Sequence, residues 1–146
     1  MLSLFIIFTG FVVGLGAVTV IDLHGFLGRK SSYWTEATTR THKVTKPLIW
    51  IGMFLIILGG YLFYKDIPIR GILFFHLVSV PIMILNGIFL SFSVSPFLLQ
   101  REKEGKSREL LPINWQRKIT LSFVISFISW WGNLFILIWF ISNNLS

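Results

Sequence analysis

The chain has 146 residues, 54% hydrophobic and 13% charged, with a mean hydropathy of +0.76, which is too apolar for a soluble domain of this length. Thirteen Lys and Arg against six Asp and Glu leave a net charge of +7, gathered in two segments between apolar stretches, a pattern that speaks against nucleic acid as a partner. With no cysteine, disulfides, thiolate catalysis and Cys-ligated zinc or iron-sulfur sites are excluded.

The first apolar stretch, residues 2 to 21, is uncharged and has the roughly 20 residues needed to cross about 30 Å of hydrocarbon. A cleaved signal peptide is the rival reading. It is disfavoured because no Lys or Arg precedes the stretch and Arg29 and Lys30 follow it. Further spans are predicted over residues 48 to 64, 71 to 92 and 119 to 142, giving an all-α four-helix transmembrane bundle that forms a single domain over residues 1 to 146.

Basic residues near a span are retained on the cytoplasmic side. Residues 22 to 47 hold five, residues 93 to 118 hold six and the turn 65 to 70 holds two. Both long loops are therefore expected in the cytoplasm, with the N-terminus, the short turn and the tail after Ser142 outside: an N-out, C-out multi-pass protein of the cell membrane.

Within the first long loop, Trp34, Ala37, Thr41, Val44 and Leu48 recur at steps of three and four, and Glu36 and Arg40 form an i, i+4 pair on another face. This predicts an interfacial amphipathic helix running into the second span, with Pro47 kinking or breaking it at the membrane. A basic solvated loop is the bland alternative. In the second loop Pro96, Gly105 and Pro112 predict mostly loop or short helix, with Asn114 a candidate cap for the last helix.

Polar side chains inside spans mark the bundle interior, because lipid cannot satisfy them. In the fourth span Ser122, Ser126, Ser129 and Asn133 share one face. In the first, Gly10, Gly14 and Ala17 form a small-residue stripe, and in the third Gly87, Ser91 and Ser95 repeat every four residues. Depth counted along the helices puts Thr9, Ser79 and Asn133 in one layer and Thr19, Asn86 and Ser126 in another, with Pro81 between them. Helix packing is the expected use of these faces, over a transport path; the glycine face suits an internal contact or a homo-oligomer. Asp22, at the inner end of the first span, is expected to form a structural ion pair with Arg29, Lys30 or Lys46, over a proton or cation site. Trp130 and Trp131 fall mid-membrane, so at least one indole is expected to pack inward. His24 and His42 both lie toward the inner side and are the candidate pair for haem b or copper, whereas His76 is near the opposite edge and cannot share a haem with either.

The segments Gly14-Leu15-Gly16-Ala17-Val18-Thr19-Val20-Ile21-Asp22, Leu48-Ile49-Trp50 with Gly59, Ile84-Leu85-Asn86-Gly87-Ile88-Phe89-Leu90 followed by Val94-Ser95-Pro96, and Ile128-Ser129-Trp130 occur in order across all four spans. On these segments the chain resembles a family of uncharacterised small bacterial four-span membrane proteins, loosely similar to copper-resistance and cytochrome-like four-helix proteins. The resemblance implies topology and raises a haem or metal role, without supplying an activity. Packing motifs are plentiful and catalytic constellations absent, so the expected function is a non-enzymatic structural or carrier subunit of a membrane complex, without a cofactor. A haem- or metal-binding redox protein is the alternative and a small-solute or proton transporter the second. The expected partners are the lipid bilayer and either a second copy or a membrane complex.

Overall fold

The computed structural model describes residues 1 to 68 and 70 to 144; among them the chain is helical and contains no strand. Four rods result: α1 (Leu2–Leu27), α2 (Ser32–Tyr64), α3 (Ile72–Phe89) continued through a π-helical turn (Leu90–Val94) into α4 (Ser95–Lys103), and α5 (Ile113–Asn144). All four are long and apolar enough to cross a membrane. Exposed Phe5, Val12, Phe54, Phe74, Phe75 and Phe135 give the bundle an apolar exterior suited to hydrocarbon. Of the residues expected outside, Ile69 in the short turn and Leu145 and Ser146 in the tail lie beyond the described residues.

At 1.5 Å per residue, α2, the α3–α4 rod and α5 are each about 50 Å long against about 30 Å of hydrocarbon. The excess collects at the end that carries the two long, basic connections, hereafter the basic end. There the segment 32 to 47 is helical, as its periodicity predicts, but Pro47 does not break it: α2 is one helix from Ser32 to Tyr64. The buried face also differs from the predicted stripe. Val44 and Leu48 are exposed, while Thr35, Thr38, Thr39, His42 and Thr45 are buried. The reason is local hydrogen bonding. Each of these threonines donates its hydroxyl to the carbonyl four residues back, at 2.7 to 3.2 Å, and so presents its methyl group to a neighbour at little polar cost.

The second connection is likewise more helical than its prolines and glycine predict, leaving only residues 104 to 112 between α4 and α5. Asn114 sits inside α5 and is not its cap. The Pro112 carbonyl receives the amides of Trp115 and Gln116, at 2.9 and 3.0 Å, so proline, which lacks an N–H of its own, starts the helix.

The helices join as two pairs held by different forces. Between α1 and α2 the backbones touch: a Cβ on Gly10 would lie 2.8 Å from the Gly52 carbonyl oxygen, and one on Gly59 would lie 2.7 Å from Ile7. Between α3 and α5 two amides act as clamps. Ser122 donates to Asn86 Oδ1 at 2.7 Å while Asn86 Nδ2 donates to the Ser122 carbonyl at 3.2 Å, and Asn133 Nδ2 donates to Ser79 Oγ at 2.9 Å. Trp130 of α5 crosses between the pairs onto Gly14, within a core that includes Phe11, Leu15, Val18, Met53 and Leu137. Trp131 faces outward. A second, smaller core at the basic end joins Val94, Leu98, Leu111 and Ile119, beside a Phe97–Trp115 stack with centroids 4.0 Å apart.

Candidate functional site

Where α2 meets the third rod, long side chains bridge a gap that the backbones do not close, and beneath them lies a cavity of about 60 Å³. At about 10–15 Å³ for each water, that is space for roughly four. Its walls are mostly apolar, with Ile49, Met53, Met83, Phe123 and Trp130 among them; its polar groups arrive from every rod. α1 supplies Asp22, α2 supplies Thr38, His42, Lys46 and Trp50, the third rod supplies Asn86 and Ser91, and α5 supplies Ser126. A concave, largely apolar site with a few convergent polar groups is the usual form of a small-molecule site.

The π turn explains how one wall is built. In this register the Ser95 amide bonds the Leu90 carbonyl, so the next carbonyl, that of Ser91, falls to the amide of Pro96, which has no hydrogen to give. Lys46 fills the vacancy from α2: its ammonium donates to the Ser91 carbonyl at 3.2 Å, and the Trp50 indole donates to Ser91 Oγ at 3.0 Å. A side chain whose sequence position suggests a solvated loop cation is thereby drawn into the site.

Asp22 is 9% exposed, with the Ser126 side chain beside its carboxylate. The expected structural ion pair is not formed. Among the described residues no cation lies within 4.0 Å of its carboxylate; Arg29 stacks over Phe26 at 3.8 Å and Lys46 is committed to Ser91. Ser129 is buried and its carbonyl receives Asn133 Nδ2 at 2.8 Å.

The two histidines are placed differently. His42 lines the cavity with a buried, unpartnered Nε2, whereas His24 packs on Trp34 at 5.1 Å between centroids and is not part of the lining. Among the described residues no three His, Cys, Asp or Glu side chains gather as a metal site would require. His76 packs on Tyr64 at the far end of the bundle.

Below the cavity, ion pairs tie the extension of α2 to the 101–109 segment. Glu36 receives both Arg40, at 2.6 Å, and Arg108, at 2.9 Å, and Lys43 meets Glu102 at 2.7 Å. In the loop itself Lys106 donates to Glu104 at 2.9 Å. That bond holds the Glu104 carboxyl below its ordinary value and the Lys106 ammonium above its own.

The sequence places Asp22 at the inner end of the first span and marks Asn86 and Ser126 as interior polar groups, but it does not gather Lys46, Trp50 and Ser91 with them into one site. The signal available for them was Pro96, five residues after Ser91, which leaves a carbonyl in need of a donor once the helix widens. Compared with known protein families, curated proteins and solved structures, the chain matches none.

Proposed function

We propose that this chain is a non-enzymatic membrane carrier subunit that binds a proton or a cationic solute at Asp22. The observation that carries this reading is a buried carboxylate without a counter-cation on the wall of a cavity that has room for water. An uncompensated charge inside a bundle costs several kcal/mol, at an order of magnitude, so a positive counterpart has to come from outside the chain. We further place the basic end in the cytoplasm, as the excess of Lys and Arg there favours. Cysteine labelling at Ser32 and Lys106 from the inner side only is the expected result, and labelling of Lys106 from outside would reverse it.

In proteoliposomes, an inward gradient of tetramethylammonium should drive proton efflux through the wild-type protein and not through Asp22→Asn, with folding of both checked by circular dichroism. Absence of any Asp22-dependent movement would leave a structural subunit as the function.

The second reading, haem or metal ligation by His24 and His42, rests on two buried imidazole nitrogens without a partner, Nδ1 of His24 and Nε2 of His42. Protein expressed with haem available should then show a Soret band that either His24→Ala or His42→Ala abolishes. A spectrum without one retires haem.

A further inference from the structure

On the outside of the bundle the α1–α5 seam carries a ladder of four rings. Phe26 of α1 meets Phe123 of α5 with centroids 5.3 Å apart, and Phe123, Phe127 and Trp131 follow one another at 6.1 Å. Phe26, Phe127 and Trp131 are exposed on the lipid-facing surface. Beside the rings, Val18, Thr19 and Leu23 complete a crevice of about 40 Å³ whose walls are almost wholly apolar. Asp22 borders it too, with its carboxylate buried and hardly a polar atom showing. Such a groove suits hydrocarbon, not a charge. From Trp131 to Phe123 α5 rises about 12 Å, and Phe26 extends the ladder toward the basic end, so it covers roughly one leaflet, half of the ~30 Å of hydrocarbon.

A cation is fixed at the head of this ladder. Arg29 stacks its guanidinium on the Phe26 ring at 3.8 Å, and its Nε donates to the Phe26 carbonyl at 3.0 Å. These contacts hold the group in place and leave both Nη groups without an acceptor among the described residues. It lies about two helical turns, roughly 10 Å, beyond the buried Asp22 carboxylate. Among the described residues no carboxylate comes within 4.0 Å of Arg29, of Lys30 or of Arg117 and Lys118 at the start of α5, whereas Arg40, Lys43, Arg101, Lys106 and Arg108 at the same end are all paired. The unmet positive charge therefore sits where the apolar seam reaches the membrane surface.

A guanidinium takes a phosphate through parallel N–H bonds, and anionic headgroups gather at basic residues beside a span. Free phosphate would leave the groove unfilled, and a lipid without net charge would leave the cations unanswered. We propose that the α1–α5 seam binds an anionic phospholipid, its phosphate on Arg29 and one acyl chain along the rings from Phe26 to Trp131. The site is separate from the interior cavity, and it goes beyond the carrier reading without depending on it.

The test uses the full chain in phosphatidylcholine bilayers to which phosphatidylglycerol with brominated acyl chains is added, brominated phosphatidylcholine being the match without net charge. Bromine quenches a tryptophan that it touches, and the difference between the wild type and Trp131→Phe isolates the signal of Trp131. That signal should be half quenched at an about fivefold lower mole fraction of phosphatidylglycerol than of phosphatidylcholine, the preference that one basic residue at the surface supplies. Arg29→Gln should remove the preference, and Arg70→Gln, an equal loss of charge at the opposite end, should keep it. If Arg29→Gln does not fold, Phe26→Leu, which takes away the platform under the guanidinium, should lower the preference about twofold. Equal quenching by the two lipids, a preference that survives Arg29→Gln or Phe26→Leu, or one that Arg70→Gln also removes overturns the proposal. Relief of the quenching by excess inorganic phosphate would overturn it as well, since the site would then take a phosphate and not a lipid.

Discussion

Replacing Gly14 by alanine adds one methyl group at the point where three helices meet. The new Cβ would sit 2.5 and 2.7 Å from Cη2 and Cζ3 of Trp130 and 3.1 Å from the Gly52 Cα. Ordinary carbon contacts are about 3.5–4.0 Å, so roughly 1 Å of separation has to be found. Neither neighbour yields easily: one is the edge of a rigid indole that is 2% exposed, the other is backbone. Overpacking of this kind costs about 1–3 kcal/mol. Gly16, two residues on, is the internal control, since a Cβ there meets nothing within 4 Å. Alanine at position 16 should be neutral or gain up to about 1 kcal/mol from helix propensity. Unfolding in mixed micelles, titrated with a denaturing detergent and followed by far-ultraviolet circular dichroism, should therefore separate the two variants by at least about 1 kcal/mol. Trp130→Leu in the Gly14→Ala background should recover part of the loss, with a coupling in the range of about 0.5–3 kcal/mol for residues in contact. Equal stability of Gly14→Ala and Gly16→Ala would refute the close approach of α1, α2 and α5.

Asn86→Leu and Asn133→Leu should each cost roughly 0.5–2 kcal/mol in the same assay, because each removes a clamp between α3 and α5 while the bilayer offers the freed serine no partner. In the 104–109 loop, Glu104 is held below its ordinary value of 4.5, so its contribution is complete above that value and is lost as pH falls through the lowered one. Lys106 is held above 10.5, so its contribution is complete below that value and is lost as pH rises through the raised one. Amide exchange of the loop should accordingly rise at both extremes, and only slightly, because both groups are solvent-exposed.

The spans were legible because bilayer thickness turns hydrophobic length into architecture. Helix ends at the basic end were not, since proline and glycine signal breaks that tertiary contacts override: α2 passes through Pro47 and the third rod passes Pro96. The threonine face of α2 was misread for a chemical reason. Threonine counts as polar until its hydroxyl is returned to its own helix, after which it packs like an apolar residue. The serine and asparagine face of α5 was legible, because its groups share one side at helical spacing and none of them can be left to lipid; Ser122, Ser126, Ser129 and Asn133 are all buried. Asp22 was recognisable as the acid at the inner end of the first span, but not its lack of a counter-cation: Lys46, one of its expected partners, is held by a carbonyl 45 residues away, a relation that no local pattern carries.

That relation yields the final prediction. The Ser91 carbonyl is orphaned because Pro96 has no N–H, so Pro96→Ala supplies a donor where none exists. Two outcomes follow from the same substitution: the π turn keeps its register and satisfies Ser91 internally, or it relaxes to α-helix and rotates Ser91 away from α2. In the second Lys46 loses its acceptor and Trp50 loses Ser91 Oγ, now at 3.0 Å; in the first Lys46 has to share the Ser91 carbonyl with the new donor, which weakens its bond. A lysine so released lines the same cavity as Asp22, which has no cation within 4.0 Å, so the variant should form the ion pair that is absent from the wild-type fold. On the proposed carrier reading, Asp22-dependent proton and cation movement should then fall several-fold while unfolding changes by no more than about 1 kcal/mol. The Lys46 and Trp50 side-chain nitrogen resonances in ¹H–¹⁵N spectra report the rearrangement directly. Shifted resonances with wild-type transport would show that the Lys46–Ser91 bond does not keep Asp22 free of an internal partner.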